Sequence, residues 1–215
     1  MLVKERMSSP VISVGPDMPI MECLKLMQDK SIRRTPVLDK QGKLVGIVSD
    51  KDLLNAAPSD ATTLSVWEMN YLIGQVKVKD VMTVKVLTVT EDTPIEEAAY
   101  AMVQNKIGGM PVMRDSKVVG LITETDLFKI FLELMGARDE GVRVTALVPE
   151  KLGELSALTH AIAEAGGSFV AFGQFAGESP ADKLVTFKVA GLTEAVVLEK
   201  IQPHILQVID IRSCC

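Results

Sequence analysis

Residues 46–52, GIVSDKD, are echoed later in the chain by GLITETD at residues 120–126, and these two stretches decide the fold. They close a longer internal repeat, in which residues 3–53 match residues 78–127 at an offset of 75 that falls to 74 near Gln41. About 18 of roughly 50 aligned positions are identical, in the same order along the chain. The segment was therefore duplicated.

Each copy has the same pattern of predicted elements. A short strand precedes a helix whose apolar residues recur at helical spacing, and two further strands follow, joined by turn residues. A last helix begins near Asp50 in copy one and near Glu124 in copy two. Each copy is thus predicted to be a βαββα unit. The predicted strands are 11–14, 35–39 and 44–49 in copy one, and 86–89, 110–114 and 118–123 in copy two.

The repeated ending Gly-x-x-Ser/Thr-x-x-Asp places a hydroxyl at the end of a strand and a carboxylate three positions later. A structural interpretation is a capping box, in which residues such as Ser49 and Asp52 bind free amides at the helix start. A functional interpretation is a nucleoside clamp, in which the carboxylate accepts hydrogen bonds from ribose hydroxyls while helix-start N–H groups face phosphate. The two are compatible, and the residues alone leave both open.

The composition excludes several classes of protein. With 47% hydrophobic and 24% charged residues, the chain has the balance of a globular protein with an ample core. No apolar run approaches the roughly 18 residues that span a bilayer, and residues 1–7 do not resemble a secretion signal. A net charge of −5 without a basic face argues against a nucleic-acid binder. We therefore expect a cytoplasmic protein without membrane or nucleic-acid partners.

The cysteines and histidines do not form a metal-ligand pattern. Cys23 lies in an apolar helical stretch, where a small buried side chain is expected. Cys214 and Cys215 are adjacent but have no cluster of ligands around them, and neither His160 nor His204 has metal-site spacing with them. We expect no metal site.

The duplicated unit resembles the cystathionine-β-synthase (CBS) domain. The resemblance is carried by the Met-Ser/Thr start, the Asp-x-Pro turn, the Pro-Val strand and the Gly-h-h-Ser/Thr-x-x-Asp ending of each copy. It implies an α+β fold in which tandem CBS domains form a pseudo-twofold pair, or Bateman module, with two clefts between them. We expect CBS domain 1 at 1–58, an amphipathic linker helix at 59–77 that forms a packing or dimer surface, and CBS domain 2 at 78–135.

The resemblance implies that the clefts hold an adenosyl effector: AMP, ADP, ATP or S-adenosylmethionine. Ser49 with Asp52, and Thr123 with Asp126, would then hold the ribose hydroxyls. Plain core packing is an equally open role for the aliphatic residues that would wall the adenine. Those residues are Ile12, Ile32, Val48, Leu87, Ile107 and Ile122.

The copies differ where a phosphate would lie. Copy one has Lys-Ser-Ile-Arg-Arg before its Thr-Pro, whereas copy two has Lys-Ile-Gly-Gly before its Met-Pro. Arginine pairs well with phosphate oxygens, often through two hydrogen bonds. We hypothesise that Arg33, Arg34 or Lys51 contacts a phosphate and makes the two clefts unequal, although solvated surface charge is an equally open interpretation.

A different pattern begins at Gly136. A polar, Gly-bounded linker at 136–141 precedes a segment at 142–215 with the predicted order βαββαβ. That order specifies a ferredoxin-like sandwich, in which an antiparallel sheet carries two helices on one face. Fold alone does not give its function.

This last domain resembles the ACT family, whose members commonly bind amino acids and dimerise through their sheets. In the family's ligand loop, Gly153 and Leu155 match and Glu150 could stand for the acid, but Leu152 replaces the usual proline. The departure leaves amino-acid sensing and dimerisation equally open. The combination of a CBS pair with an ACT-like domain resembles the acetoin utilization protein B family, a name that records a pathway association and no mechanism.

We therefore predict a regulatory sensor rather than an enzyme. The sequence contains no P-loop, nucleophile elbow or His-rich metal motif, and no catalytic residue or cofactor is expected. The alternative is a structural or interaction protein whose CBS clefts hold no ligand. We expect a homodimer, and the sequence does not identify a downstream protein partner.

Overall fold

The structure, a computed structural model, describes residues 1–56 and 74–214. These residues divide into two compact units, Met1–Leu127 and Phe128–Cys215. The first unit holds both copies of the repeat up to the helix that ends copy two. The linker helix predicted at 59–77 falls largely outside the described residues.

The two copies contain matching helices and strands. Helix α1 buries one stripe of side chains, Ile20, Cys23 and Met27, at the three- and four-residue spacing of an amphipathic helix. Copy one contains α1 (Ile20–Asp29), β1 (Arg34–Leu38), β2 (Leu44–Ser49) and α2 (Asp50–Asn55). Copy two contains α3 (Val78–Val81), β3 (Val89–Thr90), α4 (Ile95–Asn105), β4 (Gly109–Arg114), β5 (Lys117–Thr123) and α5 (Glu124–Leu134).

The two hairpins have equivalent registers. Arg34 pairs with Ser49 in the antiparallel pair β1–β2, and Gly109 pairs with Thr123 in β4–β5. The beginning of one strand therefore lies beside the residue at which the next strand ends and a helix begins. This register brings the residues just before β1 and β4 close to the helix-start motifs predicted to bind a ligand.

The first predicted strand of each copy is wrong in extent. Within 11–14, only Val14 forms a bridge, which is parallel and joins it to Val37. In place of 86–89, the second copy has the two-residue strand Val89–Thr90, which pairs with β4 in parallel. Prolines flank the first segment and lack the N–H that a strand ladder requires.

Each copy completes the core of the other with a valine from its own beginning. Val78, at the start of copy two, is fully buried in the core of copy one, and its N–H donates to the carbonyl of Met18 at 2.9 Å. Val3, at the start of copy one, is fully buried in the core of copy two, and its N–H donates to the carbonyl of Thr93 at 2.9 Å. Burying a valine side chain stabilises a fold by about 1.5–3 kcal/mol.

Short backbone bridges join the exchanged segments to the hairpins. Ile47 of β2 and Thr83 exchange two N–H···O hydrogen bonds, at 3.0 and 2.9 Å. Ser8 of copy one and Leu121 of β5 in copy two also exchange two N–H···O hydrogen bonds, at 2.9 and 3.1 Å. The two copies are therefore interlocked rather than merely packed side by side.

A reciprocal pair of salt bridges marks the same exchange. Lys4 Nζ lies 2.6 Å from Asp92 Oδ1, and Lys79 Nζ lies 2.7 Å from Asp17 Oδ1. The four residues are equivalent in pairs at the repeat offset of 75, so each copy supplies one lysine and one aspartate. These side chains are solvent-exposed, and exposed ion pairs contribute little to stability. Their equivalent positions reflect the pseudo-twofold symmetry that relates the two copies.

Glycines allow the exchanged segments to cross the hairpins. A Cβ atom on Gly46 would collide with the side chain of Met82 and lie 3.2 Å from the carbonyl oxygen of Thr83. A Cβ atom on Gly120 would collide with Met7 in the equivalent way. A larger residue at either position would have to displace a methionine side chain and push the crossing backbone by a few tenths of an ångström.

The second unit contains a four-stranded antiparallel sheet in the order β7-β8-β6-β9. Its elements are β6 (Gly141–Pro149), α6 (Glu154–Glu164), β7 (Ser168–Ala176), β8 (Asp182–Ala190), α7 (Glu194–Ile201) and β9 (Gln207–Cys214), which is the βαββαβ order expected from the sequence. Alternate residues of β6 and β8 face the core, where they pack with α6 and α7 around Phe187.

The segment predicted as a linker is attached to the sheet by a buried lysine. Lys188 of β8 is only 4% exposed, and its Nζ donates to the carbonyl oxygens of Gly136 and Asp139, each at 2.8 Å. A buried ammonium group is tolerated because both acceptors satisfy it. The 136–141 stretch is therefore held against β8 over at least its first four residues.

We expect Gly46→Val to destabilise the first unit by about 1–3 kcal/mol, because overpacking would push against Met82 and the backbone of Thr83. Denaturant unfolding of the full chain measures the change. Gly15→Val is the matched control, since a Cβ atom on Gly15 meets nothing within 4 Å. Equal stability of the two variants would contradict the close approach of the exchanged segment.

We expect Lys188→Met to destabilise the second unit, because the carbonyl groups of buried Gly136 and exposed Asp139 would lose a charged donor, at about 1.5–3 kcal/mol for the buried hydrogen bond and less for the other. Hydrogen exchange measured by mass spectrometry should rise at residues 136–140. Lys151→Met, which removes an exposed lysine, should leave exchange unchanged. Unchanged protection of 136–140 in Lys188→Met would show that the lysine does not hold this segment.

Candidate functional site

Ser49 and Asp52 form the capping box predicted at the start of α2. The main-chain N–H and the hydroxyl of Ser49 both donate to Oδ2 of Asp52, at 2.8 and 2.6 Å. The N–H of Asp52 donates in turn to Oγ of Ser49 at 3.2 Å. No described residue donates a hydrogen bond to Oδ1 of Asp52. The capping role therefore leaves one carboxylate oxygen for a ligand.

Copy two repeats this geometry at the start of α5. The main-chain N–H and the hydroxyl of Thr123 donate to Oδ2 of Asp126, at 3.0 and 2.7 Å. Asp126 is buried, with 7% of its surface exposed. The two helix starts thus hold their carboxylates in the same way, as the repeat predicts.

The start of α2 does not offer free amides to a phosphate. The N–H of Asp50 donates to the carbonyl of Arg33 at 3.0 Å, and the N–H of Lys51 donates to Oδ1 of Asp50 at 2.8 Å. The N–H of Asp52 is used by the cap. The expectation that helix-start N–H groups face phosphate is therefore wrong for copy one.

A cleft of about 380 Å³ lies where copy one meets copy two. We call it the Asp52 cleft. Its volume falls within the roughly 300–1,000 Å³ that is usual for small-ligand sites. Its lining residues are Arg34, Ile47, Val48, Ser49 and Asp52 from copy one, and Thr83, Lys85, Val86, Leu87 and Asn105–Gly109 from copy two.

The structure divides the predicted site residues between the Asp52 cleft and the other helix start. Arg34, Val48, Ser49, Asp52, Leu87 and Ile107 line the cleft. Ile12, Ile32, Arg33, Lys51, Ile122, Thr123 and Asp126 do not. The helix-start motif of copy one is therefore combined with aliphatic residues of copy two. The repeat offset of 75 relates Leu87 and Ile107 to Ile12 and Ile32, so symmetry would pair Asp126 of copy two with these two residues of copy one.

The three predicted phosphate contacts have different surroundings. Arg34 lines the Asp52 cleft, whereas Arg33 donates from Nη2 to Oγ1 of Thr125, at 3.0 Å, beside the start of α5. Lys51 is exposed and outside the cleft lining. Of the three, only Arg34 is placed to meet a ligand in this cleft.

Sequence reasoning missed two cations of the Asp52 cleft, Lys85 and Lys106. Lys85 precedes Leu87 by two positions, and Lys106 precedes Ile107 directly. Their closeness to two predicted wall residues was the available signal. Counting the described lining residues, these two and Arg34 give the cleft three cations against one carboxylate, that of Asp52.

The predicted aliphatic walls differ in exposure. Val48 and Ile122 are fully buried in the cores of their own copies, so their side chains serve mainly as core. Leu87 is 46% exposed, and Ile107 packs against the core of copy two while also lining the cleft. Leu87 and Ile107 are thus the apolar surface offered to a ligand in the Asp52 cleft.

Residues 1–56 and 74–214 contain no group of three or more His, Cys, Asp or Glu side chains that could hold a metal ion. Within the same ranges, no helix is long and apolar enough to cross a membrane. Cys23 is fully buried, as predicted, and burial raises the pKa of its thiol to about 11. That thiol is therefore protonated and inert at neutral pH.

Comparison of the sequence with known proteins gives the same two segments. The family model of the CBS domain matches residues 3–59 and 78–133. A CBS domain-containing protein of Dictyostelium discoideum is 30% identical over 135 residues, which is 62% of this chain and 93% of that protein. An L-aspartate semialdehyde sulfurtransferase of Methanocaldococcus jannaschii is 32% identical over 131 residues, but the match spans only 23% of that protein.

Solved structures of CBS pairs resemble this chain. The CBS domain pair of protein MJ0100, in complex with 5′-methylthioadenosine and S-adenosyl-L-methionine, matches with a TM-score of 0.52 and 31% identity over 65% of this chain and 98% of that one. A Vibrio cholerae protein described as an acetoin utilization protein (AcuB) matches with a TM-score of 0.53 and 28% identity, over 65% and 96%.

The repeat in the sequence, the interlocked copies with their equivalent hairpins and the family match agree with one another. The two matched segments make up more than half of the chain and coincide with the two copies seen in the structure. On this evidence the chain belongs to the CBS domain family.

Proposed function

We propose that the chain is a non-enzymatic regulatory protein whose CBS pair binds an adenosyl effector. The candidate effectors are AMP, ADP, ATP and S-adenosylmethionine. The observation that carries the proposal is the carboxylate of Asp52, which lines a cleft of about 380 Å³ while only its Oδ2 atom is used by the helix cap. The complex of the MJ0100 CBS pair with two adenosyl compounds supports it.

In the Asp52 cleft, the free carboxylate oxygen accepts hydrogen bonds from ribose hydroxyls. A carboxylate has acceptor capacity for two vicinal hydroxyls, and the cap fixes its orientation before the ligand arrives. Leu87 and Ile107 supply the apolar surface for the adenine ring. A small set of fixed polar groups within an otherwise apolar lining is typical of ligand sites.

The start of α5 is proposed as a second, equivalent site. Thr123 and Asp126 repeat the cap geometry of the first site. The repeat offset assigns Ile12 and Ile32 to the positions of Leu87 and Ile107. Arg33 lies at this helix start, through its contact with Thr125, and is the cation best placed for a phosphate there.

An effector regulates this protein by favouring one arrangement of the two copies. A ligand that contacts both copies binds one arrangement more tightly than another, and it shifts the equilibrium only by that difference in affinity. The lining of the Asp52 cleft comes from both copies, so it can supply such a difference.

The second unit is proposed as an ACT-like domain that either dimerises or senses an amino acid. The βαββαβ order with strand order β7-β8-β6-β9 supports a ferredoxin-like assignment. In the proposed ligand loop, Gly153 has a φ of 86° and precedes α6, and Leu155 is 38% exposed. Glu150 lies 3.5 Å from Lys183, through Oε2 and Nζ, so its carboxylate is partly neutralised.

We expect the double variant Asp52→Asn, Asp126→Asn to lose at least about tenfold in affinity for adenosine and AMP, because each charged acceptor for the ribose becomes a neutral amide. Isothermal titration calorimetry on the full chain measures this. Asp29→Asn, an exposed change on α1, is the charge-matched control. Nucleotide recovered after titration should be chemically intact, as expected of a sensor.

Two results would contradict the effector proposal. If the unaltered protein binds neither adenosine, AMP, ATP nor S-adenosylmethionine, the CBS clefts are not adenosyl sites. If binding is present but unchanged in the double variant, the two carboxylates do not hold the sugar.

For the second unit, one of the twenty L-amino acids should raise the melting temperature in a way that Gly153→Val removes, because valine is strained at this positive φ. If the unit dimerises instead, light scattering should give twice the chain mass of 23.3 kDa. A monomer that responds to no amino acid would contradict both forms of the proposal.

A further inference from the structure

We propose that the Asp52 cleft selects adenine nucleotides that carry phosphates over uncharged or cationic adenosyl compounds, and that Glu124 competes with the phosphate for Arg34. This inference rests on the proposed function, because it concerns the same cleft. It goes further in naming the ligand class and an internal competitor for it.

The charges of the cleft lining point to an anionic ligand. Among the described residues, Arg34, Lys85 and Lys106 are the cations of this lining and Asp52 is its only carboxylate. Lys85 and Lys106 form no ion pair with any residue in the described ranges, so both ammonium groups are available. A phosphate placed among three cations gains charge-assisted contacts. S-adenosylmethionine carries a sulfonium, an ammonium and one carboxylate group, so its net charge is positive and it would be less favoured among three cations than a phosphate-bearing nucleotide.

The phosphate contacts must come from these side chains. The amides of Asp50, Lys51 and Asp52 are already used as donors to other atoms. Helix α2 has only six residues, so little positive potential from aligned peptide dipoles is available. Because the backbone donors of this helix start are occupied, discrimination between ligands with and without phosphate must come from the side-chain cations.

Arg34 is shared between the cleft and a neighbouring carboxylate. Its Nη2 atom lies 3.8 Å from Oε2 of Glu124, which is long for a hydrogen bond, and Glu124 does not line the cleft. A Cβ atom on Gly108 would collide with both groups, so the glycine makes room for this pair. The arginine side chain is 25% exposed and the glutamate 52% exposed. An ion pair this long and this exposed is weak, and a phosphate can replace it.

The cations of this cleft do not come from the duplication. At the repeat offset, Lys85, Lys106 and Arg34 correspond to Pro10, Ser31 and Gly109. None of the three is basic. The preference for phosphate that Lys85, Lys106 and Arg34 produce therefore concerns the Asp52 cleft alone, whereas at the Asp126 site the cation proposed for a phosphate is Arg33.

The first test compares ligands that differ in charge. Calorimetric titrations of the full chain with adenosine, AMP, ATP and S-adenosylmethionine are made in EDTA, so that no metal neutralises the phosphates. The Asp126→Asn background restricts the signal to the Asp52 cleft, and the unaltered protein is titrated in parallel. We expect ATP to bind at least about tenfold more tightly than adenosine, with an advantage that shrinks as salt rises.

The second test removes individual charges. Arg34→Met and Lys106→Met should each weaken ATP binding by about five- to twentyfold and weaken adenosine binding by a clearly smaller factor, because adenosine has no phosphate for these cations to contact. Glu124→Gln should strengthen ATP binding by about two- to fivefold, because it removes the competing carboxylate. The matched controls are Lys25→Met and Glu96→Gln, which alter exposed residues on α1 and α4. They should not change the affinity for ATP or for adenosine.

The outcomes separate this inference from the function on which it rests. If adenosine and ATP bind equally well, or S-adenosylmethionine binds most tightly, the phosphate preference is overturned while the adenosyl site stands. If ATP affinity is unchanged in Glu124→Gln, the competition is overturned. If no adenosyl compound binds, the proposed function itself fails.

Discussion

Mutual burial of two valines holds the first unit together. Because Val3 fills the core of copy two and Val78 fills the core of copy one, neither copy has a complete interior without the other. The cleft follows from the same exchange. The backbone bridge between Ile47 and Thr83 fixes the segment that continues to Lys85 and Leu87 beside the Asp52 helix start. Packing and ligand site are therefore products of one arrangement.

Much of this fold could be predicted because its signals are local. The alternation of the hairpin strands, the turn residues between them and the Ser49–Asp52 spacing each depend on a few neighbouring residues, and all were identified correctly. The strand predicted at 11–14 failed because a strand needs a paired neighbour as well as extended backbone, and within this segment only Val14 pairs, with Val37. The exchange escaped prediction because it joins positions about 75 residues apart, and alternating hydrophobicity carries no information on partners at that distance.

The site was predicted only in part, because its residues also come from positions that are far apart in the sequence. The repeated motif identified Asp52 and the resemblance to the CBS domain identified Leu87, but neither showed that this carboxylate of copy one shares a cleft with aliphatic residues of copy two. Lys85 and Lys106 became visible only when the exchanged segment was placed. The cap gives Asp52 two roles, since the oxygen that stabilises the helix start also orients the oxygen left for a ligand. If Asp52 binds the proposed effector, helix stability and ligand recognition are coupled in this one side chain.

The exchanged valines also set the order in which this chain can mature during synthesis. When the ribosome has released only copy one, the interior of that copy still lacks Val78, and its own Val3 has no core to enter. Apolar surface on the nascent chain then stays open until copy two emerges, which is the condition in which unfinished domains need chaperones. We therefore expect the first half of this chain to complete its core only after the second half has been synthesised.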